Sequence, residues 1–145
     1  MTSSNPAATD TALRRRTLPA WQAVAGAAVL ATVVNLIVLY IGDAAGASLA
    51  LKLNGKSDDI GAGDVIFMSL VAPAIGITAV LLLARWKPVL LRVGQVVSGA
   101  VAALTAIGPL TLDTDGGTAA TLITMHLFVG CVAVAALEVV RRSRV

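Results

Sequence analysis

The stretch "VIFMSLVAPAIGITAVLLLA", Val65 to Ala84, runs for 20 residues without a charged side chain. About 20 apolar residues cross the hydrocarbon core of a bilayer as an α-helix. A strand of an outer-membrane barrel would be nearer 10 residues long and would alternate apolar with polar side chains. The stretch does not alternate, so it predicts a transmembrane helix.

Similar apolar runs occur three more times, and only 13% of the 145 residues are charged. Soluble domains carry about 25% charged residues, so this deficit indicates a membrane protein. We predict an all-α integral membrane protein, a four-transmembrane-helix bundle over residues 18–142. The expected helices span about 20–41, 65–84, 93–112 and 118–140. Residues 1–17 are predicted to be a disordered cytoplasmic tail and residues 143–145 a short tail.

The first apolar run has a rival interpretation as a secretory signal, because three arginines precede it. A signal would have an apolar region of about 7–15 residues, shorter than the uncharged run from Ala20 to Ile41. We therefore expect a membrane helix here.

The basic residues predict the orientation of the helices. If the N-terminus is cytoplasmic, nine basic residues fall inside and only Lys52 and Lys56 fall outside, which is a strong positive-inside bias. Those nine are Arg14, Arg15, Arg16, Arg85, Lys87, Arg92, Arg141, Arg142 and Arg144. Composition rich in Ala, Gly and Val, with 8 Arg against 3 Lys, is typical of a GC-rich bacterial genome. We predict a multi-pass protein of the bacterial inner membrane with both termini cytoplasmic.

The first outer loop, residues 42–64, is long, and its leucines at 49, 51 and 53 alternate with other residues. Asn54-Gly55 is a strong turn signal. We expect a short extended segment across the outer helix ends, its leucines facing the helices and Lys52 facing water. The return stretch "KSDDI" is a poor strand, so only half a hairpin is predicted.

Four polar residues within the apolar runs fall at similar depth. At 1.5 Å per residue, all lie roughly 7–12 Å below the outer surface. They are Asn35, Ser69, Thr105 and His126. One interpretation of this polar layer is an interhelical hydrogen-bond cluster, in which a neutral, buried His126 joins helix four to Asn35 and Thr105. The other is a polar pocket opening outward, with His126 as proton carrier or ligand group.

Proline and small residues predict how the helices bend and pack. Pro73 and Pro109 each remove a backbone hydrogen bond and are candidate helix kinks. Small residues at spacing four allow close approach of helices in lipid. Such stripes are Gly94, Ser98, Ala102 and Ala106 in the third run, Ala27, Ala31 and Asn35 in the first, and Ala72 and Gly76 in the second. Gly130 shares the face of His126.

Charged residues outside the polar layer have simpler interpretations. Glu138 is expected to form an interfacial charge pair with Arg141 and Arg142. The acids of the first outer loop are candidates for a divalent cation, but without calcium-loop spacing we expect solvated side chains. They are Asp58, Asp59 and Asp64.

Several function classes do not fit the residues present. One His and one Cys cannot form a zinc site within one chain, and phosphate-loop and serine-elbow motifs are absent. No carboxylate lies deep in an apolar run, as proton-coupled drug antiporters need. We predict a non-enzymatic protein without a cofactor and without a nucleic-acid partner. Its expected role is structural, accessory or partner-binding, in contact with membrane lipid and with another membrane protein or a second copy.

Two alternatives to that role remain open. The first is a small transporter or channel subunit that uses an outward-facing pocket around His126. The second is a membrane enzyme with His126 as acid or base.

Short motifs in a fixed order resemble an uncharacterised actinobacterial family of small four-helix membrane proteins, the domain-of-unknown-function 6069 family. The motifs are the basic start of the first run, "GAGDVIFMSL" at 61–70, "RW" at 85–86, "GPL" at 108–110 and "MHL" at 125–127. The resemblance covers roughly residues 14–142. It implies an integral membrane protein with four helices and no assigned activity.

Overall fold

Each of the four apolar runs forms a helix in the computed structural model, which describes residues 19–53 and 56–143. The helices are α1 Ala20–Ala44, α2 Ala62–Leu83, α3 Leu90–Thr105 and α4 Gly116–Ser143. A 3₁₀ turn, Gly108–Thr111, continues α3, and with it all four helices are long and apolar enough to cross a membrane. The predicted all-α membrane fold is confirmed, and the chain is a multi-pass membrane protein.

Some predictions fall on residues that the structure does not describe. The predicted tail at 1–17 lies outside the described residues, as does the Asn54-Gly55 turn. Of the predicted tail at 143–145, Ser143 is described and ends α4.

Helix α2 begins three residues earlier than predicted because Asp64 caps it. The backbone N–H of Gly61 donates to Oδ2 of Asp64 at 3.0 Å, which is one half of a capping box. An acidic residue in the first turn also interacts favourably with the helix dipole.

The two candidate kinks behave differently. Helix α2 continues through Pro73 to Leu83. Helix α3 ends as an α-helix at Thr105, four residues before Pro109. A proline has no N–H and its ring clashes with the carbonyl four residues before it, which accounts for that end. The predicted third helix is thus an α-helix followed by a 3₁₀ turn, rather than one kinked helix.

A complete β-hairpin connects α1 and α2. Strand β1, Ala50–Leu53, pairs antiparallel with β2, Lys56–Asp59, so that Ala50 lies opposite Asp59. The prediction of only half a hairpin was wrong, because strand pairing uses backbone groups and β2 needs no apolar face. All four side chains of β2 are exposed.

The hairpin region rests on the helix ends through Leu49. Its side chain is partly buried against the apolar cluster of Leu39, Val65 and Met125, as predicted. Leu51 is partly buried and Lys52 is exposed, again as predicted, whereas the side chain of Leu53 lies outside the description.

The helices pack most extensively as α1 with α2, α1 with α4, and α3 with α4. One apolar cluster lies where the described chain begins and ends, which we call the terminal end; it includes Ala31, Ile77, Leu81, Leu91 and Leu137. A smaller cluster, around Leu39, lies below the hairpin at the hairpin end. Helices α2 and α3 make few contacts with each other. The two helices are therefore separated by a gap.

Candidate functional site

The gap between α2 and α3 is a partly open cavity of about 530 Å³, which we call the cleft. Helix α4 also lines it, and the hairpin region contributes Leu51 and Ile60. Residues from α2, α3 and α4 that line it include Met68, Ala72, Gly76, Ser98, Val101, Thr105, His126 and Val129. Asn35 of α1 lines it as well.

The cleft exists because α2 uses a different stripe of residues to pack on α1. Its buried residues recur every four positions: Val65, Ser69, Pro73, Ile77 and Leu81. Ala72 and Gly76, predicted to be a packing stripe, instead line the cleft and are exposed. A Cβ built on Gly76 would meet no atom within 4 Å. Within the described chain, Ala72 and Gly76 are therefore not a packing surface.

All four residues of the predicted polar layer line the cleft. The depth estimate from the sequence therefore grouped four side chains that line one cavity. The structure joins only two of them by a hydrogen bond: Nδ2 of Asn35 donates to Oγ of Ser69 at 2.8 Å. Both residues are 3% exposed, so this bond is a buried link between α1 and α2.

Asn35 is incompletely satisfied. Its Oδ1 atom is buried and has no hydrogen-bond partner, alone among the buried side-chain polar atoms of the described residues. Buried polar groups normally have at least one partner. Because Nδ2 is the end bonded to Ser69, the end left without a partner is a hydrogen-bond acceptor.

His126 does not join α4 to its neighbours, so the predicted interhelical bonds to Asn35 and Thr105 are absent from the described residues. Its Nδ1 lies 2.7 Å from the carbonyl of Leu122 in the same helix, and the side chain is only partly buried. Thr105 likewise donates to the carbonyl of Val101 at 2.8 Å. A carbonyl one helical turn back is always within reach of such side chains, whereas a partner on another helix requires close packing.

The hydrogen bond of His126 determines what the ring can offer to the cleft. A carbonyl oxygen only accepts, so Nδ1 carries the proton and donates. In the neutral ring, Nε2 is then an acceptor. Among the described residues that line the cleft there is no lysine or arginine, and Asp64 is the one carboxylate. The cleft is thus a mostly apolar cavity with a few uncharged polar groups and one carboxylate, at the start of α2.

A polar network at the hairpin end was missed from the sequence. Asp115 accepts hydrogen bonds from the hydroxyls of Ser48 and Thr118, and from the backbone N–H of Thr118 at 3.0 Å. These bonds, first the one from Ser48 and then those from Thr118, hold the pKa of Asp115 well below its ordinary value. The spacing Asp-x-x-Thr before an apolar run was the available signal, since Asp is a preferred N-cap.

This network ties the hairpin to the loop before α4. Thr118 Oγ1 also accepts from the backbone N–H of Leu49 at 2.8 Å, and Thr114 donates to the carbonyl of Ala50 at 2.8 Å. Lys52 forms an exposed ion pair with Asp113 at 3.7 Å. The hairpin, with Leu51 and Ile60 beside the cleft, is thereby held in place.

The terminal end carries the predicted charge cluster. Glu138 pairs with Arg141 at 2.6 Å and with Arg142 at 2.7 Å, which confirms the prediction. Gln95 of α3 also donates to Glu138 at 2.8 Å, a link between α3 and α4 that was missed. The candidate cation ligands are separate: Asp58 and Asp59 are exposed on β2, while Asp64 caps α2.

Comparison with known proteins gives a family and no activity. A search of curated proteins and a search of solved structures found no match. Residues 15–143 match a family of unknown function, DUF6069, which is the family that the short motifs resemble. Because the match covers most of the chain, the protein belongs to the DUF6069 family.

Proposed function

We propose that this protein is a non-enzymatic membrane protein that binds a small ligand in the cleft, as a transporter or carrier subunit would. The cleft carries the proposal, because it reaches both Asn35 and His126 and leaves a buried amide oxygen of Asn35 without a partner. Ligand sites are typically cavities of roughly 300–1,000 Å³ with mostly apolar walls and a few polar groups.

The chemistry of the lining favours binding over catalysis. General acid–base or nucleophilic catalysis needs a second group within hydrogen-bond reach of the first. The hydrogen bond of His126 goes to a backbone carbonyl, and Asp64, the only carboxylate among the described lining residues, is engaged in capping α2. The lining residues therefore favour ligand binding over the alternative of a membrane enzyme.

The packing of the helices also favours ligand binding over a purely structural role. The small residues that bring helices together are mostly used within the chain: a Cβ built on Gly130 would lie 2.2 Å from that of Ala102. Ala72 and Gly76 are left facing open space. A partner helix, or a second copy of the chain, is the competing occupant of that space, and it would exclude water.

For orientation, we propose both termini in the cytoplasm of a bacterial cell, with the hairpin end outside. The excess of basic residues at the terminal end supports this. Exposed Trp21 and Trp86 near the terminal end, and Tyr40 near the hairpin end, fit the two membrane interfaces. The cleft then extends from the outer helix ends, at Asp64, past the middle of α2, at Ile77.

Cysteine accessibility tests both proposals in one experiment. In a Cys131→Ala background, a membrane-impermeant maleimide is added to intact cells carrying Thr105→Cys, which lines the cleft, or Leu104→Cys. Leu104 is the matched control, because it is adjacent in depth, 68% exposed and outside the lining. We expect Thr105→Cys to react severalfold faster, because water enters the cleft and not the lipid.

Two surface positions report the orientation. Ser57→Cys on β2 should react and Lys87→Cys, between α2 and α3, should not. The reverse pattern would overturn the orientation. Equal, slow reaction of the cysteines at 104 and 105, with Ser57→Cys reactive, would overturn the open cleft and favour an occupying partner helix.

A further inference from the structure

We infer that the ligand of the cleft is an uncharged lipid whose head group donates a hydrogen bond, such as a long-chain alcohol. This inference rests on the proposed function and names the ligand class. It follows from three features of the cleft. The buried polar atom without a partner is an acceptor, the described lining holds no lysine or arginine, and the walls are apolar.

The first acceptor is Oδ1 of Asn35. The residue is 3% exposed, lines the cleft, and has Nδ2 already engaged with Ser69. An acceptor that has lost water and gained no partner is unfavourable, and a donor from a ligand would remove that cost. A hydroxyl or an amide N–H supplies such a donor.

Two more acceptors lie among the residues that line the cleft. His126 has Nδ1 bound to the carbonyl of Leu122, so Nε2 of the neutral ring presents a lone pair. The backbone carbonyl of Ser69 has lost its usual donor, because residue 73 is a proline without an N–H. Both Ser69 and Pro73 line the cleft. A head group that donates hydrogen bonds therefore meets several acceptors.

Charge excludes the other common lipid head groups. A carboxylate or phosphate needs a cationic partner at membrane depth, and the described lining holds no lysine or arginine. An ammonium head needs a carboxylate. Asp64 is the only one among the described lining residues; it is exposed, at the start of α2, and already accepts from Gly61. An uncharged head group is what remains.

The walls suit an apolar tail. Met68, Val101, Val129 and Ile77 line the cleft, and nothing lies within 4 Å of a Cβ built on Gly76. Helix α3 forms one wall of the cleft and has few buried residues, so most of its surface would face lipid. A lipid is thus a ligand that can enter from the membrane.

Protection from labelling tests the ligand class. Purified full-length Thr105→Cys, in the Cys131→Ala background, is placed in phosphatidylcholine vesicles and labelled with maleimide. Dodecanol, dodecane, dodecanoate and dodecyltrimethylammonium are added below concentrations that disturb the vesicles. All four probes share one tail, so differences report the head group. We expect dodecanol to protect at the lowest concentration.

Variants identify the acceptor. Asn35→Leu should raise the dodecanol concentration needed for protection by about three- to tenfold, as the loss of one hydrogen bond predicts, and should leave dodecane unchanged. Thr32→Val is the matched control, because Thr32 lies on the same helix, bonds to Ala28 and does not line the cleft. If Asn35→Leu does not fold, His126→Leu takes its place, with a smaller shift expected.

The outcomes separate the two proposals. Equal or better protection by dodecane or by either charged probe would overturn the ligand class and leave the cleft as a binding site. Unchanged dodecanol protection in folded Asn35→Leu and His126→Leu would do the same. Absence of protection by every probe would overturn the ligand class, and together with slow labelling of Thr105→Cys in cells it would overturn the proposed function as well.

Discussion

Two contacts between neighbouring helices, α3 with α4 and α2 with α3, are built from similar small residues and have opposite outcomes. Gly130 of α4 lies so close to α3 that a Cβ there would be 2.2 Å from that of Ala102. Gly76 of α2 is small as well, but it lies on an exposed face. Nothing lies within 4 Å of a Cβ built on it. The α3–α4 contact is closed, whereas the α2–α3 contact is open along the cleft.

The comparison shows that small residues permit close packing without causing it. Lipid tails are as apolar as the helices, so apolar contact alone does not drive helices together. Helix α2 is held against α1 by its stripe of buried residues and by the hydrogen bond between Asn35 and Ser69. It approaches α3 near the terminal end, where Gly94 lies against Val80. Beyond that point the two helices are free to separate.

The largest expected effect comes from breaking the closed contact. Gly130→Ala should lower the free energy of unfolding by about 1–3 kcal/mol, because the new methyl meets another Cβ and the backbone behind it must move. Gly76→Ala should cost nothing and should raise the free energy of unfolding by up to about 1 kcal/mol, because its methyl enters open space and alanine is the better helix former. Thermal unfolding of both variants in detergent measures the difference.

A compensating substitution sharpens that test. Ala102→Gly removes the methyl that Gly130→Ala would strike, so the double variant should recover most of the lost stability. Equal stability of Gly130→Ala and Gly76→Ala would contradict the difference between the closed and open contacts.

A smaller effect on stability should distinguish Ser69, whose hydrogen bond joins two helices, from His126, whose hydrogen bond lies within α4. Ser69→Ala removes the link to Asn35 and should cost about 0.6–1.7 kcal/mol, the range for interhelical hydrogen bonds in membranes. His126→Leu should cost no more than about 0.5 kcal/mol, because its bond lies within α4 and links no other helix. Unfolding measurements that rank His126→Leu above Ser69→Ala would restore His126 as an interhelical link.

The smallest expected effect concerns the hairpin beside the open contact. The pKa of Asp115 is lowered in the folded protein, so its contribution to stability is present above the ordinary pKa and is lost as the pH falls toward the lowered value. Below about pH 4, where an unperturbed Asp protonates, the hairpin should begin to loosen. Hydrogen exchange at the amides of Leu49 and Ile60 reports this.

The control for the hairpin is a change of the acid itself. Asp115→Asn should remove the pH dependence of the protection of those amides, measured relative to exchange in an unfolded peptide. Asp113→Asn should leave it in place, because the Lys52–Asp113 pair is largely exposed and exposed pairs contribute little. Identical pH profiles for Asp115→Asn and the unmodified protein would contradict the role of Asp115.

The sequence predicted the elements that depend on local chemistry. Runs without charge, such as Val65–Ala84, predict helices because every backbone group in lipid must be satisfied within its own segment. Depth along those helices follows from a constant rise per residue, which is why Asn35, Ser69, Thr105 and His126 were expected at one level and all line one cleft. Glu138 was expected beside Arg141 because both lie on one helix face.

The features that were missed or wrong depend on contacts between elements. Strand β2 forms because a partner strand is available, although "KSDDI" is a poor strand by itself. Asp115 meets Ser48 across 67 residues of chain, and no local pattern identifies that partner. Helix α3 ends at Thr105 by a local rule, the proline four residues on, and that end was predictable.

By itself the sequence determined the number of helices, their approximate positions and the relative depth of their polar residues, because these follow from hydropathy and helix geometry. Only the tertiary structure decided that Ser69 rather than His126 pairs with Asn35, and that Gly130 is packed while Gly76 is open. The physical reason is that each helix has several faces of nearly equal apolarity. Which face meets a neighbour depends on the simultaneous fit of all four helices.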